Sequence, residues 1–366
     1  MNIDNSVIKQ DEKAVFALRS LYEKYGYMQY KMNKFEEYDL YLRNKDFLVS
    51  DHIITFTDTD GKLMALKPDV TLSIVKNGDD SANALQKVYY NENVYRVSKS
   101  SHSFREIMQV GLECVGNIDR YCIYEVLSLA AKSLGSISDD YVLDVSHMGI
   151  IFEVLDSLAV TDDRRKQLLQ FIGEKNTHDI SEIDGSKKLQ KLIATYGSAE
   201  SVRSMLAELY PDGLSESAEQ LLTVVSALEQ DGFGGKIRID FSVLNDCNYY
   251  NGIVFKGFVD GIPTSILSGG QYDPLMHKLG RKAQAIGFAV YLDLLGQFAQ
   301  TDRGSSVDTV ILYNDETPLQ SISSAVQAFS EHGDRVVACR ELPPRLNCRQ
   351  LVKLDEKGAF TIEKNA

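Results

Sequence analysis

Four short stretches carry the side chains that could bind or transform a small polar ligand. In LKPDVT, Leu66 to Thr71, Pro68 sets a strand-to-helix corner where the carboxylate of Asp69, with Thr71 beside it, can meet a ligand ammonium. Taken alone, the pair reads first as a helix cap. In REIMQVGLECVG, Arg105 to Gly116, the residues Gln109, Gly111 and Glu113 alternate, so a strand turns all three to one face. Gly111 leaves room between two polar side chains, which are costly on an apolar strand unless paired. A solvent-facing edge strand would alternate in the same way. In NDCNYYNGIVF, Asn245 to Phe255, the phenols of Tyr249 and Tyr250 both donate and accept, which suits a neutral heterocycle. Two tyrosines at a core edge is the simpler reading of that pair by itself, and no cation occurs between Asn245 and Val254. In the stretch from Ser268 to Leu295, Gly269 and Gly270 permit close approach of backbone to a ligand or a neighbouring strand, although packing explains most of it.

The elements that must position these residues follow from periodicity. Val15, Leu18, Tyr22 and Tyr25 recur at helical spacing, with Gly26 as the stop. YMQYKM reads as a strand, and IITFTD and LMALK as a hairpin about DTDGK, where Asp60-Gly61 is the turn signal. DVTLSIVKNG reads as a helix opened by Asp69. VYYNENVYRVS and REIMQVGLECVG form an antiparallel pair around a polar loop. From about Ser146 to Gln230 the pattern is nearly all helix, and strand signals resume at KIRIDFSVL, GIVFKGFV, PTSILSGG and AIGFAVYL, the last running into a helix. After the polar TDRGSSVD, a small β-α-β unit is expected from TVILYN, a helix over about 318–332 and RVVAC, with weak strand patterning beyond Cys339.

The expectation is therefore an α+β fold. An antiparallel sheet flanked by helices occupies residues 1–300, with a helical insertion at about 150–232, and a small α/β domain follows at 307–366. Neither a GxGxxG nor a P-loop pattern is present.

Composition narrows the function classes. The chain has 366 residues, 44% hydrophobic and 25% charged, and its 39 basic and 52 acidic residues leave a net charge of -13, which works against a whole-surface attraction to nucleic acid. The five cysteines, Cys114, Cys122, Cys247, Cys339 and Cys348, have no CxxC spacing, so reduced thiols are expected rather than a disulfide framework. The six histidines are scattered, so no metal site is expected, and no cofactor. The N-terminal residues lack an apolar signal core, and the run Ala285 to Leu292 is too short to span a bilayer. A cytoplasmic protein without membrane contact is the expectation.

Taken in order, the four stretches resemble the class II aminoacyl-tRNA synthetase core, in its histidyl branch. VYRVSKSSHSFREIMQVGLECVG resembles motif 2, NDCNYYNGIVF the histidine-specific segment RGLDYYxGxVF, and SGGQYDPLMHKLG with AIGFAVYLDLL the pattern GGRYDxL with GFAxGxERL, which contains motif 3. KFEEYDLY is similar to the segment of motif 1 after the dimer-interface strand, with Asn33 where proline is usual. The resemblance spans roughly residues 10–300.

What the resemblance implies is a histidine pocket with damaged ATP motifs. Asp69, Thr71 and Gln109 would meet the main-chain groups of histidine, and Glu113 and Tyr250, beside Tyr249, its imidazole. Arg96 matches the motif 2 arginine that grips the ATP α-phosphate and the acyl carboxylate. Ser98 replaces the glutamate two residues on, Leu294 the motif 3 arginine that holds the γ-phosphate, and Asn245 the histidyl-specific arginine. The lost glutamate is an adenine-side ATP contact, and neither Leu294 nor Asn245 supplies a bidentate cation to phosphate or carboxylate. These departures, with a shortened C-terminal unit, resemble the regulatory subunit of ATP phosphoribosyltransferase. That family implies a short-form catalytic subunit as partner, self-association through the class II cores, histidine as feedback effector, no catalysis by the chain itself and no tRNA recognition. The competing expectation is an enzyme, a divergent histidyl-tRNA synthetase or amino-acid-activating paralogue.

Overall fold

The computed structural model describes residues 8–44, 53–78, 85–98, 102–158, 160–183, 185–244, 249–298, 307–344, 346–357 and 359–365. The chain divides into two compact units, Met1–Phe298 and Ala299–Ala366.

The first unit opens with α1 (Gln10–Lys24), β1 (Met28–Gln29), β2 (Phe35–Glu37) and α2 (Tyr38–Arg43), then β3 (Thr55–Thr57), β4 (Leu63–Leu66) and α3 (Thr71–Asn77). The long pair β5 (Gln86–Val97) and β6 (Phe104–Gly116) follows, then α4 (Arg120–Gly135) and β7 (Tyr141–His147). A helical block comprises α5 (Met148–Asp156), α6 (Asp162–Gly173), α7 (Thr177–Ser181), α8 (Lys187–Ala194), α9 (Ala199–Leu209) and α10 (Glu216–Leu228), with the short β8 (Tyr196–Gly197) inside it. The chain returns through β9 (Ile237–Asp240), β10 (Ile253–Val259), β11 (Leu267–Gln271), α11 (Asp273–Lys278), β12 (Gln284–Tyr291) and α12 (Leu292–Phe298).

Nine of these strands form one sheet in the order β1-β5-β6-β12-β11-β10-β7-β9-β8. Every pairing from β5 to β7 is antiparallel, and parallel pairings join β1 to β5 and β9 to β7. Strand β6 is thus an interior strand, and the edge-strand reading of its alternation falls: β12, almost two hundred residues on, covers its second side. Residues β2, β4 and β3 make a separate three-stranded sheet whose β3–β4 turn is organised by Asp58, its Oδ1 accepting from the amides of Asp60 and Lys62.

The sheet has two chemically different faces because side chains alternate along each strand. The back face is apolar. There Tyr89, Leu112, Phe288 and Phe255 join one core with Leu18 and Tyr22 of α1 and Leu127, Ala130 and Leu134 of α4. The ring of Tyr22 packs against those of Tyr89 and Phe288, with centroids 6.1 and 6.0 Å apart, and its hydroxyl finds Ser133 Oγ at 3.0 Å. Burial of aliphatic and aromatic side chains of this size contributes about 1.5–3 kcal/mol each, which makes this face the main stabilising layer.

The helical block has no separate core. Leu168, Ile172, Leu192, Val202, Leu206, Leu221 and Val225 belong to the same buried cluster as the back face of the sheet. Polar contacts also join the two, among them the Lys175–Asp240 ion pair at 2.7 Å and a buried imidazole. His147, at the end of β7, accepts the Gly149 amide at Nδ1 (3.1 Å), so its proton sits on Nε2 and is donated to Gln220 Oε1 of α10 (2.9 Å). Burial holds this imidazole below its ordinary value, hence neutral. Replacing Gln220 by leucine should strand that buried N–H and cost about 1–3 kcal/mol, read as a lower urea midpoint; an unchanged midpoint would show that this contact carries no load.

In the second unit, β13 (Val307–Leu312), α13 (Leu319–Glu331), β14 (Val336–Cys339), β15 (Cys348–Leu354) and β16 (Phe360–Asn365) form a four-stranded sheet, order β14-β13-β15-β16. Ile322, Ala325, Val326 and Phe329 of α13 pack on Ile311, Val352 and Leu354. The weak patterning beyond Cys339 conceals β15 and β16. In β15 the exposed Arg349 and Lys353 interrupt the buried Cys348, Val352 and Leu354, so its hydrophobic signal is diluted.

Candidate functional site

The front face of the nine-stranded sheet carries the candidate residues in ordered rows. Register places Glu113, Gly287, Gly270 and Val254 side by side on β6, β12, β11 and β10. The next row runs Tyr90, Gly111, Ala289, Ser268, Lys256 and Asp144, and the third holds Glu92, Gln109 and Tyr291. Glycine and alanine thus form a low floor with taller polar side chains around it. The floor is sterically obligatory. A Cβ on Gly111 would overlap the Tyr90 hydroxyl, and one on Gly287 would overlap Glu113 Oε2 and lie 2.5 Å from Leu112 O.

Glu113 is the centre of the site. It is buried, and its two oxygens accept from Thr71 Oγ1 and the Tyr272 hydroxyl, each at 2.7 Å. Burial pushes its carboxyl up to about 8, the two hydroxyl bonds oppose that rise, and Asp69 adds to it. Asp69 takes the Leu72 amide at Oδ1 (2.9 Å), so the helix-cap reading of this residue holds alongside its place in the site. Its carboxyl is also raised, first by burial, against amide bonds from Leu72 and Thr71 and the charge of Arg96.

The corner that presents Asp69 and Thr71 is tied to β5. Buried Lys67 is ion-paired with Glu92, the Tyr95 amide donates to Lys67 O, and Arg96 Nε donates to Pro68 O at 3.0 Å. Arg96 is therefore committed in part to holding the corner. Across the site, the YYNG segment is held by the GGQYD segment. Asn251 Nδ2 donates to Asp273 Oδ2 (3.1 Å), the Ile253 amide to Gln271 Oε1 (2.8 Å), and the Asn251 amide to Gln271 O (3.2 Å). Tyr250 then lies over Gly270, where an added Cβ would come 2.7 Å from its ring, and the Tyr249 ring meets those of Tyr250 (4.6 Å) and Tyr272 (5.6 Å) at tilts of 46° and 50°. Burial raises the hydroxyls of Tyr90, Tyr249 and Tyr272 well above the ordinary tyrosine value, with Glu113 adding in each case, so all three are neutral.

The structure thus brings Asp69, Thr71, Glu113, Tyr249 and Tyr250 into one site, with Gln109 buried on the same sheet face and Arg96 at the corner. Of the three degenerate positions, Leu294 packs against the apolar core from α12. Ser98 follows β5, its amide donating to Ser103 O at 2.9 Å. Asn245 lies outside the described residues. Sequence reasoning missed Tyr90, Tyr272 and Tyr41. The Tyr41 hydroxyl is buried, has no partner among the described residues and feels the charges of Glu36 and Asp69. Tyr272 was within reach as the aromatic after Gly269-Gly270-Gln271; for Tyr90 and Tyr41 the sequence offers no local signal.

Chemically, two carboxyls and several neutral phenols favour a ligand that brings donor nitrogens, an ammonium or an imidazole. Among the described residues no cluster of histidine, cysteine or carboxylate side chains could hold a metal, and no helix is long and apolar enough to cross a membrane.

Comparison with known proteins agrees with this reading of the fold. A histidyl-tRNA synthetase family model matches residues 3–295. The ATP phosphoribosyltransferase regulatory subunit of Oceanobacillus iheyensis is 28% identical, over 79% of this chain and 72% of that one. That of Clostridium kluyveri is 25% identical, over 86% and 85%. Among solved structures, an ATP phosphoribosyltransferase regulatory subunit/histidyl-tRNA synthetase from Bacillus halodurans superposes with a TM-score of 0.70, at 21% identity over 96% of each chain. A chain of an ATP phosphoribosyl transferase complex from Thermotoga maritima gives 0.61, at 20% identity, covering 80% of this chain and 98% of that one. The sheet order, the two-faced sheet and a family model that spans the whole first unit lead to one conclusion: the chain belongs to the histidyl-tRNA synthetase family, with a class II synthetase-like core.

Proposed function

We propose that this chain is a regulatory subunit of ATP phosphoribosyltransferase: it binds a short catalytic subunit, activates it in the first step of histidine biosynthesis and carries feedback inhibition by histidine, without activating an amino acid itself. The observation that carries the reading is the contrast within one site. Thr71 and Tyr272 are hydrogen-bonded to Glu113, with Asp69, Tyr249 and Tyr250 nearby, while the partly buried Leu294 packs against the apolar core at the position where the family resemblance expects a phosphate-holding arginine. Adenylation develops negative charge on the phosphoryl oxygens and the leaving pyrophosphate, and losing even one preorganised donor to such a charge typically costs about two to three powers of ten in rate. The curated names of the relatives point the same way.

Feedback requires histidine to bind two states of the assembly with different affinity. Mixed with a short-form catalytic subunit, the purified chain should raise phosphoribosyl-ATP formation, and histidine should then lower it, with substrate affinity of the assembly weakened by about 5–150-fold, the span of ordinary coupling free energies. Failure to activate would overturn the regulatory reading. Robust histidine- and ATP-dependent pyrophosphate exchange by the chain alone would favour the synthetase reading instead.

A further inference from the structure

The site as described is rich in carboxyls and poor in cations, yet a free amino acid brings a carboxylate of its own. Two cations of the front face, Lys256 and Arg238, stand on either side of Asp144. Lys256 lies on β10 in the row Ala289, Ser268, Lys256, and all three side chains of that row are partly open to solvent, unlike the buried Glu113, Gly287, Gly270 and Val254 beside them.

Its natural carboxylate partner is occupied elsewhere. Asp144 of β7 stands directly opposite Lys256 in register. Arg238, on the strand beyond, takes both Asp144 oxygens in a forked pair, Nε to Oδ1 at 2.7 Å and Nη2 to Oδ2 at 2.8 Å. That geometry is the strong, directional form of the interaction and draws the carboxylate away from β10. Among the described residues Lys256 Nζ keeps one partner, the neutral carbonyl of Leu244 at 2.9 Å. Burial without a counter-charge pushes its ammonium below the ordinary lysine value. A half-buried cation in that state gains from any anion delivered to it.

We propose that Lys256 recognises the carboxylate of the bound amino acid, supplying from the floor of the sheet the positive charge that Asn245 does not. The inference rests on the histidine reading of the pocket. Three strand spacings, about 14 Å between backbones, separate the columns of Glu113 and Lys256. The ammonium of Lys256, now on the Leu244 carbonyl, would turn to the ligand carboxylate, with the ligand ring toward Glu113.

The test is calorimetric titration of the full chain with L-histidine and with L-histidinol, which keeps the imidazole and ammonium but has no carboxylate. Lys256→Met should weaken histidine about tenfold to a hundredfold, the worth of a hydrogen bond to a charged group, and leave histidinol within about twofold. Lys256→Arg should recover most of the histidine affinity. Should the methionine variant fail to fold, Lys256→Gln is read in the same way. Unchanged histidine affinity in the variant, or equal losses for both ligands, would overturn the proposal. If Glu113→Gln weakens histidine while Lys256→Met does not, the pocket reading stands and the role of Lys256 falls. If the wild-type chain binds no histidine, both fall.

Discussion

Gly287→Ala should abolish histidine binding and destabilise the chain by about 3 kcal/mol, the upper part of the range for an overpacked interior. The added methyl would overlap Glu113 Oε2 and sit 2.5 Å from the carbonyl oxygen of Leu112. A flexible side-chain tip could move aside. A carbonyl inside a ladder cannot, because β6 and β12 are registered on both sides of the contact. The carbonyl contact therefore stays as strain, and the overlap with Oε2 is relieved only by swinging the Glu113 carboxyl away, which breaks its bonds to Thr71 and Tyr272 and removes the acceptor from the pocket. Gly61→Ala is the control: that glycine has φ +81° with nothing near its added Cβ, so it should cost only about 1 kcal/mol and leave binding intact. Urea unfolding and calorimetry check both. A Gly287→Ala protein that binds histidine within threefold of wild type would remove Glu113 from the centre of the site.

Glu113→Gln should separate binding from stability. The Glu113 carboxyl stands at about 8 in the folded chain against an ordinary 4.5. Below pH 4.5 the folded and unfolded states both hold the proton. Between 4.5 and 8 the folded state holds more, so stability falls as pH rises, and above 8 the loss is complete, on the order of 5 kcal/mol. Glutamine cannot ionise and escapes this loss. The variant should match the wild type near pH 5 and exceed it increasingly up to pH 9 in denaturant unfolding, while binding histidine about tenfold to a hundredfold more weakly. Asp69, also raised, tilts both curves in the same direction. Parallel stability curves for the two proteins would mean that Glu113 is charged at neutral pH. A residue kept at such a cost for the free chain fits a ligand-binding role, since a donor from the ligand would offset part of it.

The local elements were legible because they depend on neighbours in the chain. Helical spacing of Val15, Leu18 and Tyr22 marked α1, Asp60-Gly61 the β3–β4 turn, and the polar loop between two apolar runs the β5–β6 pair. Alternation of Gln109, Gly111 and Glu113 correctly implied a common face. Whether that face was wet or enclosed could not follow from spacing, because the same period-2 pattern serves a solvated edge and a polar pocket floor. The late strands β15 and β16 were obscured for a related reason: half of β15 faces solvent, so its apolar residues do not form a run.

By itself, then, the sequence determined the α+β class, many of the local elements and a partial set of residues suited to an amino acid, since these rest on local periodicity and on side-chain chemistry. Only the tertiary structure decided that β12 lies against β6, that Tyr272 reaches Glu113 across 159 residues of chain, and that Gly287 leaves space for that carboxyl. It also decided that Arg238 occupies Asp144 and leaves Lys256 without a carboxylate partner among the described residues. Charge compensation and steric clearance are properties of distances between strands, and those distances are set by the packing of the whole sheet against α1 and α4 rather than by any stretch of sequence.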